Sequence, residues 1–385
     1  MPEPKMNAAN LIQKIEESRK SKVIVYYTGD RTNHSARIAE DAVRPLYDHL
    51  HNLNFGERKK KIIDLFLYSR GGDVSVPWRI VSMIREFCDE FNILIPYRAQ
   101  SAATLLSLGA DTIVMGKKAE LGPIDPSLVR AVVGDAGNPP AEIAVEDVNS
   151  FLSFVRDRSH ITDQTALATM MNSLIGQIGP LTLGTVNRQH YHIRLVARKL
   201  LTSRSEKIDE EKINTIIETL TEKMYSHGHA IGRKEAKEIG LPVIYPKPEL
   251  EELTWNLFLY YEQFLQLREP IDPALALEKK DEEEILNMPI AVIESVDKRH
   301  IFRAKFQMKK SRKVPENPQI NINLQLQLPP GMDPKQVGPE TQQILNNIMN
   351  SVSQQIPRLV QQELIRQSPE IGIMARSIGG MWHEE

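Results

Sequence analysis

Short apolar runs alternate with stretches of helical periodicity through the first 120 residues. Runs of this length predict buried strands, and apolar residues recurring every three to four positions predict helices with one buried face. Strands that alternate with helices favour a parallel sheet with right-handed crossovers. The predicted strands are 22–28, 62–69, 92–97 and 111–115, and the predicted helices are 8–20, 38–53, 76–91 and 102–108.

The pattern changes after Pro126. Helical periodicity over 165–178, 186–201 and 208–224 predicts a helical insertion, and an aromatic-rich helix follows at 251–267. A charged, proline-marked segment then precedes two apolar strands at 290–296 and 300–308, an alternating strand at 320–328 and an amphipathic helix at 339–367. We therefore expect a main domain over 1–268, a linker over 269–288 and a C-terminal module over 289–385 that serves oligomerisation or partner binding.

Ser101 lies where a predicted strand gives way to a predicted helix. A serine at such a junction exposes its hydroxyl beside the free N–H groups of the first helical turn, although capping that helix is the ordinary role of a serine there. Some thirty residues upstream, another predicted strand ends in the pair Gly71-Gly72. Glycines there let backbone amides approach a ligand closely, although an ordinary turn has the same pattern.

The stretches Ser69-Arg-Gly-Gly72 and Gln100-Ser101-Ala-Ala103 together resemble the Clp protease and crotonase superfamily. Within it, Ala119-Glu-Leu-Gly-Pro-Ile-Asp125 and Glu235-Ala-Lys-Glu-Ile-Gly240 are most similar to the serine dehydrogenase proteinase family, a relative of signal peptide peptidase A. The resemblance extends over about residues 8–268. It implies a ClpP/crotonase-like α/β fold of stacked β-β-α units, to which this chain adds the helical insertion and a small β-rich and helical C-terminal extension.

The same resemblance implies the main roles in the site. Ser101 matches the nucleophile, and the backbone amides of Gly71 and Ala102 match the two oxyanion donors. Two residues depart from the pattern: Ala103 replaces a frequent glycine, and Arg70 replaces the proline of Clp proteases, which could add a cation near the substrate.

The general base is less well defined by the sequence. Clp proteases have a histidine about 25 residues after the nucleophile, but Pro123-Ile-Asp125-Pro126 contains none. His229, its neighbour His227, and a lysine such as Lys199 remain as candidates, the lysine because burial in an apolar helix would lower its pKa. Asp125 could orient the base or simply cap a turn.

Composition narrows the function and the compartment. The 385 residues carry 48 Lys and Arg against 50 Asp and Glu, a net charge of −2 that gives no indication of nucleic-acid or lipid binding. No signal peptide and no apolar run of about 20 residues is present, so we expect a cytoplasmic protein without a membrane span. Two His-x-His pairs, at 190–192 and 227–229, leave a metallohydrolase as a rival, but no cofactor is expected.

The resemblance implies a serine endopeptidase that acts through an acyl-enzyme on Ser101. We expect it to work independently of ATP, because no Walker A motif is present. The expected partners are a peptide or unfolded protein as substrate and further copies of the chain in a homo-oligomer. The alternative is a catalytically inactive ClpP-like scaffold that binds peptides or assembles partners. An acyl-CoA enzyme of the crotonase type is a third possibility, since one fold hosts many reactions.

Overall fold

The computed structural model describes most of the chain. The described residues are 7–124, 127–130, 141–144, 163–224, 228–313 and 363–385, with a few isolated residues between these ranges. The helices are α1 Ala8–Arg19, α2 Val43–His51, α3 Val76–Arg85, α4 Ala102–Leu108, α5 Gln164–Ile178, α6 Pro180–Thr202, α7 Glu210–Thr221, α8 Arg233–Glu238, α9 Pro248–Phe264 and α10 Pro273–Ala276.

The strands are mostly short, apart from three long ones near the C-terminus. They are β1 Lys22–Thr28, β2 Asp30–Arg31, β3 His34–Ser35, β4 Ile62–Tyr68, β5 Glu90–Ile95, β6 Arg98–Ala99, β7 Thr112–Met115, β8 Glu120–Leu121, β9 Ser127–Arg130, β10 Ala141–Ala144, β11 Ile231–Gly232, β12 Val243–Ile244, β13 Glu282–Glu294, β14 Arg299–Arg312 and β15 Glu370–Glu384.

A parallel sheet forms the centre of the main unit, with β12, β7, β5, β4 and β1 as successive neighbours. Alternate strand residues supply two separate apolar cores. Ile24, Leu65 and Ile93 face the core formed with α2, α3, α4, α6 and α7, and Val25, Phe66 and Leu94 face the core formed with α1 and α9. Burial of both faces explains why the strands are apolar runs without polar alternation.

Small second strands stack against the main sheet. Each of β5 and β7 is followed by a two-residue strand, β6 or β8, and these two pair in parallel in a separate sheet that β11 completes. The order β5-β6-α4 is one β-β-α unit, and β7-β8 begin the next. The predicted α/β fold of stacked β-β-α units is therefore confirmed, and α5, α6 and α7 form the predicted helical insertion.

The C-terminal strands take part in two units of the chain. The first unit comprises Met1–Pro270, Asn287–Ala304 and Gly380–Glu385, and within it the end of β13 pairs antiparallel with β1, for example Tyr26 opposite Ile293. The second unit comprises Ile271–Leu286 and Lys305–Gly379. The predicted strand at 320–328 and most of the predicted helix at 339–367 lie outside the described residues. The domain limits 1–268, 269–288 and 289–385 stay a prediction.

Candidate active site

Ser101 occupies a strained bend between β6 and α4. Its backbone has φ 51° and ψ −114°, and its side chain makes no capping hydrogen bond to the helix. Non-glycine residues rarely adopt positive φ, and such strain costs roughly 1–3 kcal/mol where it persists. The capping role weighed from the sequence is therefore not the one the side chain performs. The bend leaves the partly exposed hydroxyl free of any hydrogen bond among the described residues.

Thr104, in the first turn of α4, holds this bend in place through hydrogen bonds of its side chain. Its buried hydroxyl lies 2.8 Å from the carbonyl oxygen of Ala99 and 2.8 Å from that of Gly122, and the Gly122 amide donates to it at 3.1 Å. One side chain thus joins the end of β6, the residue after β8 and the first turn of α4. The sequence reasoning missed Thr104, since a threonine within an apolar helix carries no local sign of such contacts.

The glycine turn after β4 lies directly against Ser101. Gly71 has φ 109°, and a Cβ atom added there would lie 2.8 Å from the Cβ atom of Ser101 and 3.1 Å from the amide nitrogen of Ala102. The backbone amide of Ser69 donates to the Arg98 carbonyl at 3.0 Å. The backbone carbonyl of Ser69 accepts from the Gln100 amide at 3.0 Å. Glycine is needed at position 71 both for its conformation and for this close approach.

The two amides expected to form the oxyanion hole differ in their partners. The buried amide of Ala102 has no acceptor among the described residues. The amide of Gly71 donates to the side-chain oxygen of Ser69 at 3.0 Å. The structure therefore holds one amide available and one engaged, a difference that the sequence did not indicate.

A charged network lies beside the turn, at the carboxyl end of the sheet. Asp30 accepts from the Tyr68 hydroxyl at 2.8 Å, from Arg70 at 2.7 Å and from Arg98 at 3.2 Å. Burial, followed by the charge of Asp30, raises the pKa of the Tyr68 hydroxyl, which therefore stays protonated. Arg98 also contacts Glu120 at 3.1 Å. The Arg70 side chain is 55% exposed and has Asp30 as its ionic partner.

His229 and Ser101 each lie two residues from an outer strand of the small sheet. Leu121 of β8 pairs with Ala99 of β6 and with Ile231 of β11; Ser101 follows β6, and His229 precedes β11. The imidazole Nε2 atom lies 2.8 Å from a carboxylate oxygen of Glu235, a partner that sequence reasoning missed. No hydrogen bond joins His229 to Ser101 in the described structure.

Of the other candidates for the base, Lys199 lies within the described residues. Lys199 is exposed, and its ammonium nitrogen lies 5.4 Å from the centre of the Trp78 ring. The expected burial of Lys199 is therefore wrong. His227 and Asp125 lie outside the described residues.

Among the described residues, no group of three or more His, Cys, Asp or Glu side chains could hold a metal ion. Burial lowers the pKa of His190, which lies 3.7 Å from a carboxylate oxygen of Glu222 on the neighbouring helix. Within the described part of the chain, no helix combines the length and apolar character needed to cross a membrane.

Comparisons with known proteins give a family match and a set of distant structural likenesses. Two uncharacterized proteins of Methanocaldococcus jannaschii are similar: one is 29% identical over 215 residues, covering 56% of this chain and 63% of the relative, and the other is 24% identical over 181 residues, covering 47% and 51%. The chain thus spans less than two thirds of the length of these curated relatives.

Among solved structures, ClpP1 of Listeria monocytogenes is 14% identical, with a TM-score of 0.32. The match covers 62% of this chain and 99% of the ClpP1 chain. A point mutant of that protein is 12% identical, with coverages of 63% and 99% and a TM-score of 0.32. Residues 3–165 match the family described as ClpP-like SDH-type serine proteinase. The resemblance predicted from the sequence is therefore confirmed, and the matched segment contains Gly71, Ser101 and Ala102.

Proposed function

We propose that this protein is an ATP-independent serine peptidase that hydrolyses peptide bonds through an acyl-enzyme on Ser101. The strained backbone of Ser101 carries the proposal, because strain of this kind is retained where a reactive side chain must be presented. The family match of residues 3–165 supports the same chemistry.

In the proposed first step, the hydroxyl oxygen of Ser101 attacks the substrate carbonyl carbon as a base removes its proton. The negative charge that develops on the carbonyl oxygen would be stabilised by the amides of Ala102 and Gly71. When the tetrahedral intermediate collapses, the C–N bond breaks and the amine leaves with the proton from the base. Water then attacks the ester in the same manner and releases Ser101.

We assign the base to His229, with Glu235 as its orienting partner. If Nε2–H donates to the Glu235 carboxylate, the lone pair of Nδ1 is left to accept the proton of Ser101. The positions of both residues next to strands that pair with β8 support this pairing. The mechanism requires His229 to approach Ser101 in the substrate complex, since catalytic hydrogen bonds often form only there.

The substrate we propose is a peptide or an unfolded protein, cleaved within a homo-oligomer in the cytoplasm. The test is hydrolysis of fluorescently labelled casein by the full chain without ATP. Ser101→Ala should abolish hydrolysis, whereas Ser107→Ala should leave it unchanged, because the buried Ser107 hydroxyl of the same helix only contacts the Ala103 carbonyl. Equal hydrolysis by wild type and Ser101→Ala would contradict the assignment.

One observation favours a second candidate, the catalytically inactive ClpP-like scaffold. The Gly71 amide is already bonded to Ser69, and Ser101 has no base in contact among the described residues. A scaffold of this kind would bind unfolded casein without cleaving it, and Ser101→Ala would leave that binding unchanged.

A further inference from the structure

The hydroxyl of Ser69 is completely buried and lies beneath the glycine turn. It accepts a hydrogen bond from the Gly71 amide at 3.0 Å and one from the Thr28 hydroxyl at 2.7 Å. Its own proton has only a distant acceptor, the Gly71 carbonyl oxygen at 3.4 Å. Two donors therefore converge on the Ser69 oxygen.

The Gly71 amide has two acceptors competing for it once a substrate is bound. One is the Ser69 oxygen in the resting structure, and the other is the oxyanion beside Ser101. A strong hydrogen bond needs a nearly straight donor–hydrogen–acceptor angle, so one N–H group serves one of these positions well at a time. The Gly71 N–H belongs to the peptide unit between Arg70 and Gly71, and a glycine at position 71, with φ 109°, gives that unit more freedom to rotate than another residue would.

We infer that Ser69 is a positioning residue, which holds the Gly71 amide away from the oxyanion in the resting enzyme and releases it as the oxyanion forms. The inference rests on the proposed function and adds a conformational step to it. Each turnover exchanges a hydrogen bond to a neutral hydroxyl for one to a charged oxygen, and the charged acceptor gives the stronger bond. Loss of the Ser69 oxygen therefore removes a competitor of the oxyanion.

The test measures the rate at which a fluorophosphonate labels the full-length protein. In this reaction the Ser101 oxygen forms a bond to phosphorus, fluoride leaves, the proton passes to the base, and the phosphoryl oxygen occupies the oxyanion position. Ser69→Ala should raise the maximal labelling rate about three- to tenfold, the value of one ordinary hydrogen bond, with the half-saturating probe concentration unchanged.

Thr28→Val is the matched control. Both variants lose the hydrogen bond between Thr28 and Ser69, but only Ser69→Ala also removes the acceptor of the Gly71 amide. Thr28→Val should therefore lose comparable stability in urea yet label at the wild-type rate. Ser69→Cys fills similar space with a weaker acceptor and should give a smaller increase, so it keeps the test valid if the alanine variant does not fold.

The outcomes separate this inference from the proposed function. Labelling of wild type at Ser101 with an equal or slower rate for folded Ser69→Ala overturns the inference alone. An equal acceleration by Thr28→Val also overturns it, because general loosening of the turn would then be the cause. Absence of labelling in wild type and in all variants refutes the proposed function, and the inference is refuted with it.

Discussion

Replacing Gly71 with alanine tests the close packing of the glycine turn against Ser101. The added Cβ atom would lie 2.8 Å from the Ser101 Cβ atom, 2.9 Å from the Gln100 carbonyl oxygen and 3.1 Å from the Ala102 amide nitrogen. None of these atoms is the end of a flexible side chain, so the backbone itself must shift. Alanine at φ 109° is also strained wherever it is placed.

Two magnitudes follow from this geometry. A residue held in a sparsely populated backbone region costs roughly 1–3 kcal/mol, so the free energy of unfolding of Gly71→Ala should fall by about that amount. Loss of one oxyanion donor typically lowers the rate about 10²- to 10³-fold. The expected result is a folded protein that reacts at least about a hundredfold more slowly than wild type.

The assay combines urea unfolding with the rate of fluorophosphonate labelling. Gly184→Ala is the control, because Gly184 lies within α6 and an added Cβ atom would meet no atom within 4 Å. Alanine favours the helix over glycine by about 1 kcal/mol, so this control should be as stable as wild type or slightly more stable, with an unchanged rate. A folded Gly71→Ala variant that reacts at the wild-type rate would refute the oxyanion role of this turn.

Two further predictions concern stability. Thr104→Val preserves shape but leaves the buried Gly122 amide and a carbonyl without their partner, so the free energy of unfolding in urea should fall by about 1–3 kcal/mol; an unchanged value would show that the Thr104 hydroxyl does not hold the bend. Burial lowers the pKa of His49 to about 3, so the unfolded chain binds a proton below about pH 6.5 that the native site does not, and stability falls with falling pH. Between pH 7 and pH 5 the loss should be about 2 kcal/mol larger in wild type than in His49→Gln, and equal losses in both proteins would refute it.

The sequence predicts the sheet and the position of Ser101 because both depend on local patterns. Apolar runs reveal strands buried on both faces, and a serine between a strand and a helix of small residues reveals the bend. The backbone angles of Ser101 have no such signal, since they result from contacts with Gly71 and Thr104, which are distant in sequence. Strain at a site of this kind is a property of the tertiary structure.

The expected burial of Lys199 is wrong because apolar neighbours along a helix do not bring every residue between them onto the buried face. Along α6 the buried positions Val196, Leu200 and Leu201 share one face, and Lys199 falls on the exposed side of the same turn. The pairing of β13 with β1 was also beyond local reasoning, because the partner strands are separated by more than 250 residues. Neighbouring strands in a sheet need not be neighbours in the sequence.

The hydrogen-bond partners of the Gly71 amide and of the His229 imidazole could not be predicted from the sequence either. Whether the Gly71 amide meets Ser69 or an oxyanion depends on the rotation of one peptide unit, and the pairing of His229 with Glu235 depends on the turn that begins α8. Both are differences of a few ångströms within a correctly predicted segment.

The most direct test of the central claim is to locate the adduct of a fluorophosphonate on the full-length protein by peptide mass spectrometry. A reactive hydroxyl at the bend predicts one modified peptide, with the phosphonyl group on Ser101, and no adduct in Ser101→Ala. An unmodified wild-type protein, or an adduct on another serine that persists in Ser101→Ala, would contradict the account.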